Sequence, residues 1–138
     1  TDLDVRQDTA NKAQVEKDKR DSIDGKIGKP LPTNITLCLA KEWTLEWCMF
    51  KSPVLSELFK DSVAEVHSKT TEFKKDVATH CYKETFETKL SEKLKNRSLD
   101  KTAIALALSE KIEESTLNLN QQDEYIKYLL DAIRFVVS

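Results

Sequence analysis

The sequence predicts an all-α fold, a small bundle of four to five helices, and three observations carry that expectation. Residues 53–96 form a run that contains no glycine and no proline after Pro53, so nothing in it interrupts a helix. The chain has only two glycines and three prolines, all between positions 25 and 53, so the turn punctuation of a β or α/β domain is missing elsewhere. Apolar residues recur at intervals of three and four, which places them on one face of a helix.

The N-terminal stretch is the least committed to a core. Leu3, Val5, Ala10, Ala13 and Val15 are too small and sparse for a continuous apolar stripe, and charges alternate in sign from Arg6 to Asp24, as expected of a frayed or surface helix. Gly25, Gly28, Pro30 and Pro32 then break any helix through free backbone, locked φ and missing donors. Residues 1–32 are therefore expected to be a charged, weakly ordered segment and linker, and 33–138 the helical domain.

Within 37–50, Ala40, Trp43, Trp47 and Phe50 are spaced three, four and three apart, which predicts one helix with a large aromatic face. These rings are expected either to anchor a core or, with Phe59, Phe73 and Phe86, to line a ligand cavity or a partner contact. Ser52-Pro53 reads as a helix start, a hydroxyl cap before a proline at the first helical position. Leu55, Phe59, Val63, Val66, Phe73, Val77 and Cys81 then form one stripe. Tyr82, Phe86, Leu90 and Leu94 are rotated away from it, which predicts a break between Thr79 and Tyr82 or a second partner face, another subunit included. Asn96-Arg97-Ser98 ends that element and supplies a cap to the next, whose face is Ala103, Ile104, Ala105, Leu108 and Ile112. Asn118 or Asn120 opens the last helix, with Asp123 and Glu124 in its first turn; its apolar register (Ile126, Leu129, Leu130, Ile133, Val136, Val137) predicts that it docks along its whole length.

Composition excludes more than it assigns. The 22 basic and 24 acidic residues are interleaved and leave a net charge of -2, without the basic footprint that a nucleic-acid duplex demands. Charged residues interrupt the longest apolar stretch, 35–50, well short of the ~20 apolar residues of a membrane span. The start at Thr1-Asp2-Leu3 suits a processed mature chain or a trimmed one.

The three cysteines, Cys38, Cys48 and Cys81, allow at most one internal bridge. On a helix over 37–50, Cys38 and Cys48 would lie ~15 Å apart, too far to pair, so a disulfide is expected to use Cys81; the alternative is three buried thiols. A leftover thiol could join two chains as a homodimer. Two sequons, Asn34-Ile35-Thr36 and Asn96-Arg97-Ser98, fit a secreted glycoprotein, although five asparagines among 22 Ser and Thr residues make about one such triplet a chance expectation.

The chemistry-bearing residues are few. His67 and His80 sit in the long helical run with no nucleophile elbow or phosphate loop, and His80 and Cys81, as helix neighbours, point about 100° apart. No short metal-ligand spacing and no Glu-x-x-His pair is present, so no metal and no cofactor are expected. The expectation is a secreted, non-enzymatic helical protein that recognises another macromolecule, an effector, immunomodulator or receptor-ligand type. The alternatives are a carrier of a small apolar ligand and an intracellular adaptor with reduced cysteines.

Overall fold

The computed structural model describes residues 1–28, 31–67, 82–119 and 122–137. Among them the chain forms no strand and six α-helices: α1 (Lys12–Ile27), α2 (Leu45–Lys51), α3 (Ser56–Val66), α4 (Tyr82–Lys95), α5 (Lys101–Glu114) and α6 (Lys127–Val137). The fold is all-α, but with six helices rather than four or five. The charged N-terminal stretch completes a helix of its own, and the run 53–96 contributes two. The expected break between Thr79 and Tyr82 lies outside the described residues except at Tyr82, which opens α4; Phe73, Val77, His80 and Cys81 lie outside them too.

The chain divides into two compact units, one made of Thr1–Ser56 with Asn118–Ser138, the other of Glu57–Leu117. In the first unit the N-terminal residues run beside the stretch 38–43. The Thr1 nitrogen donates to the Cys38 carbonyl at 2.6 Å, Ala40 N–H to the Thr1 carbonyl at 2.9 Å, and Asp4 N–H to the Trp43 carbonyl at 2.7 Å. This pairing buries Leu3 and Val5, which lie two apart.

Helix α1 has no buried residue and is attached by polar groups. Lys12 Nζ reaches the Gln7 and Glu42 side chains, and Arg20 donates to the Ala40 and Lys41 carbonyls at 3.1 and 2.8 Å. The helix runs through Gly25 and stops at Gly28, whose φ of 76° is the left-handed geometry glycine tolerates.

The predicted helix 37–50 shortens to α2, because the Thr44 hydroxyl accepts from Trp47 N–H at 3.3 Å and starts the helix there. Ala40 and Trp43 therefore reach the core from outside the helix, Trp43 from a bend. Both are nevertheless buried, as are Trp47, Cys48, Phe50, Leu55 and Ile126. At the end of α2 the buried Ser52 serves as the predicted cap: its Oγ accepts from Val54 and Leu55 N–H at 3.2 and 2.9 Å, and its hydroxyl donates to the buried Asp123 carboxylate.

The second unit packs Phe59, Val63, Phe86, Leu90, Leu94, Leu99, Ile104, Ala107 and Leu108 into its interior. Helix α4 ends with Arg97 at φ 53° and Ser98 N–H on the Lys93 carbonyl at 3.0 Å, a left-handed C-terminal closure. The cap of α5 is Asp100, which accepts from Ala103 N–H at 3.1 Å, rather than a residue of Asn96-Arg97-Ser98. Its buried face takes Ala107, while Ala105 is exposed.

Helix α6 departs furthest from expectation. It starts from the turn at Asp123, whose Oδ1 accepts from Tyr125 N–H at 3.0 Å, not from Asn118; Asn120 is outside the described residues. No residue of α6 is buried, and Ile133, Val136 and Val137 are 59%, 82% and 78% exposed. Just before the helix, Ile126 is buried in the core and Asp123 is buried against Ser52. Among the described residues no helix is long and apolar enough to cross a membrane.

Candidate functional site

In the first unit, accessible apolar and polar groups meet where the stretch 34–41 runs beside α6. The turn at Thr33 and Asn34 is closed by Ile35 N–H on the Pro32 carbonyl at 3.0 Å, and residues 35–40 after it form no helix or turn. Ile35, Leu37 and Leu39 alternate with Thr36, Cys38 and Ala40, a period-two pattern that suits extended backbone and competes with the helical spacing of Ala40 and Trp43.

Two adjoining open depressions separate this stretch from α6, and both are lined by Thr36, Leu37 and Cys38. One, of about 320 Å³, is polar and is bounded by Lys41, Glu124, Lys127, Tyr128 and Asp131. The other, of about 450 Å³, is mainly apolar and is bounded by Ile35, Ala132, Phe135 and Val136. The exposed α6 surface of Ala132, Ile133, Val136 and Val137 continues beyond it.

The charges at the polar end are paired among themselves. Lys41 donates to the Glu124 carboxylate and stands 4.6 Å over the Tyr125 ring. That hydrogen bond raises Lys41 and lowers Glu124 from their ordinary values. Lys127 and Asp131 form an i,i+4 pair at 2.8 Å.

Next to Lys41 in the chain, Glu42 gathers a polar network. Its Oε2 accepts from Gln7 Nε2 at 2.8 Å, Lys12 Nζ at 3.3 Å and Trp47 Nε1 at 3.2 Å. Burial pushes this carboxyl up, but the Gln7 bond, the Lys12 charge and the Lys12 and Trp47 bonds outweigh it and hold Glu42 below the usual range. Burial also raises the Cys48 thiol, whose Sγ lies 3.5 Å from the Glu42 carbonyl. The Tyr128 hydroxyl is buried without a hydrogen-bond partner among the described residues; desolvation, then the neighbouring Cys48, Asp2 and Glu46, push the phenol far upward, so it stays protonated.

Of the aromatic contact candidates, Trp43, Trp47 and Phe50 come together in the first unit. Successive ring centroids are 5.4 and 5.5 Å apart in tilted packing, and none of the three is more than 3% exposed. Phe59 and Phe86 are fully buried members of the second unit, and Phe73 lies outside the described residues. Cys38 is a half-buried free thiol and Cys48 a buried one; Cys38 precedes α2, so the helical spacing invoked to separate the two does not apply. Cys81 is outside the described residues. Asn34 and Asn96 are both exposed in turns. His67 closes α3 by donating its backbone N–H to Val63, in a different unit from Cys38 and Cys48. Among the described residues, no group of three or more His, Cys, Asp or Glu side chains is arranged to hold a metal.

Sequence reasoning missed the groove, because 37–50 read as one helix and α6 as a docked one. The Ile35-Thr36-Leu37-Cys38-Leu39 alternation was the available signal. Comparison with protein-family models, with curated proteins and with solved structures gave no match.

Proposed function

We propose that this chain is a secreted, non-enzymatic helical protein that acts by binding another macromolecule, of the effector, immunomodulator or receptor-ligand type. The observation that carries this reading is the exposed apolar surface of α6, where Phe135, Ile133, Val137 and Val136 are 38%, 59%, 78% and 82% exposed. A third of the chain is charged, so its surface does not lack polar side chains. Contiguous apolar exposure on such a surface marks a contact site. Exposure of both sequon asparagines in turns supports the secreted setting, since a glycan there would be solvated.

The test is site-specific photocrosslinking in the fluid or extract of origin, with a benzophenone side chain at position 136 and, as control, at the exposed position 106 of α5. A discrete, saturable adduct from position 136 alone supports the reading. No adduct, or the same adducts from both positions, refutes it.

A second reading, an intracellular adaptor with reduced cysteines, is favoured by the free thiols at Cys38 and Cys48. Intact mass with and without reductant separates the two settings: a two-dalton shift reports a bridge and favours secretion.

A further inference from the structure

We propose that the macromolecule recognised presents an extended peptide segment, which adds as a strand to an open backbone edge at Leu37 and Leu39 and lies in the groove beside α6. This rests on the macromolecular-recognition reading and adds the chemistry of the partner.

The edge follows from the pairing on the opposite side of the same stretch. The Cys38 carbonyl accepts from the Thr1 nitrogen, and Ala40 N–H donates to the Thr1 carbonyl. In extended backbone, the carbonyl of one residue and the N–H two positions later point to the same side, and both groups of the residue between them point to the other. The N–H and C=O of Leu39, and by the same alternation those of Leu37, therefore face away from Thr1. Among the described residues, neither Leu37 nor Leu39 has a backbone hydrogen bond. Both residues line the depression against α6. A row of unpaired donors and acceptors two residues apart is the template for strand addition.

The chemistry of the groove selects among occupants. A lipid tail would fit the apolar end at Ile35, Phe135 and Val136, but it has no amide groups for Leu37 and Leu39 and would bury them unpaired. The helix of a second copy has its backbone groups engaged internally and fails for the same reason. A single peptide strand supplies both main-chain partners and side chains for alternate depressions. The charges agree with an apolar segment: Lys41 with Glu124 and Lys127 with Asp131 balance in pairs, so the groove presents no net charge to a strongly acidic or basic sequence.

The test selects random dodecapeptides from phage display on the full 138-residue chain and synthesises the tightest one with single N-methyl groups moved along its backbone. Methylation at alternate positions should each weaken binding about tenfold, the effect of one lost hydrogen bond, while the intervening positions tolerate it. In hydrogen exchange by NMR, the Leu37 and Leu39 amides should become protected by bound peptide, with Ala40, already bonded to Thr1, unchanged. Val136→Asp, at an 82% exposed position that the fold does not need, should weaken binding at least as much. Binding without the alternation, protection that skips Leu37 and Leu39, or failure to select any saturable peptide overturns the inference. None of these results touches the photocrosslinking outcome at position 136, on which macromolecular recognition stands or falls separately.

Discussion

The Ser52–Asp123 contact joins the end of α2 to the turn that starts α6, and its removal has a calculable effect. Ser52 is fully buried and Asp123 is 3% exposed. Asp123→Ala takes the acceptor from a buried hydroxyl, which costs about 1.5–3 kcal/mol when the acceptor is a carboxylate. It also removes the side chain that accepts from Tyr125 N–H, a capping loss of about 1 kcal/mol. The expected destabilisation is therefore about 3 kcal/mol, a large share of the ~5–15 kcal/mol total stability of a typical domain. Ser52→Ala should cost a similar amount, since it strips the Asp123 partner and the acceptor for Val54 and Leu55 N–H. Because both changes delete the same bond, the double variant should lose about 2 kcal/mol less than the sum of the singles. Asp123→Asn, which keeps an acceptor, should recover part of the loss. Urea denaturation followed by far-UV circular dichroism measures all four variants. Additivity within about 0.5 kcal/mol would show that the two side chains do not share a stabilising bond, and would refute the reasoning.

Further outcomes follow from other groups. Glu42 has a carboxyl held below its ordinary value, so its contribution to stability is present above the unfolded-state value near 4.5 and is lost as pH falls through the depressed folded value. Urea midpoints read by Trp fluorescence should show that acid loss in the parent, and Glu42→Gln should flatten it; parallel profiles would contradict the network. Tyr128→Phe removes a buried hydroxyl that has no partner among the described residues, so stability should be unchanged or raised by up to about 1 kcal/mol rather than lowered. Arg97→Gly relieves a side chain at φ 53° and should stabilise the chain by about 1 kcal/mol in the same denaturation assay. With iodoacetamide on the native protein, Cys38 should be labelled before the buried Cys48, whose thiol is raised by desolvation; peptide mapping of partial reactions reads the order.

The residue sequence by itself determined the all-helical class and most of what is buried. Trp43, Trp47, Phe50, Leu55, Phe59, Val63, Phe86, Leu90, Leu94, Ile104 and Leu108 were legible as core from periodic spacing, since burying apolar area is favourable whichever element delivers it. Ser52 was legible as a cap, because a hydroxyl beside free backbone donors is a local matter. What local pattern could not supply was the choice between two periods in one stretch. Ala40 and Trp43 fit a helical face, yet the Thr44 cap and the pairing of this stretch with Thr1 and Asp4 hold them outside the helix. Nor could it supply attachment without apolar contact, as α1 is tied down by Lys12 and Arg20. The exposure of Ile133, Val136 and Val137 was likewise a tertiary decision: an amphipathic pattern states that a face seeks cover, and only the packed chain shows whether its own residues provide it.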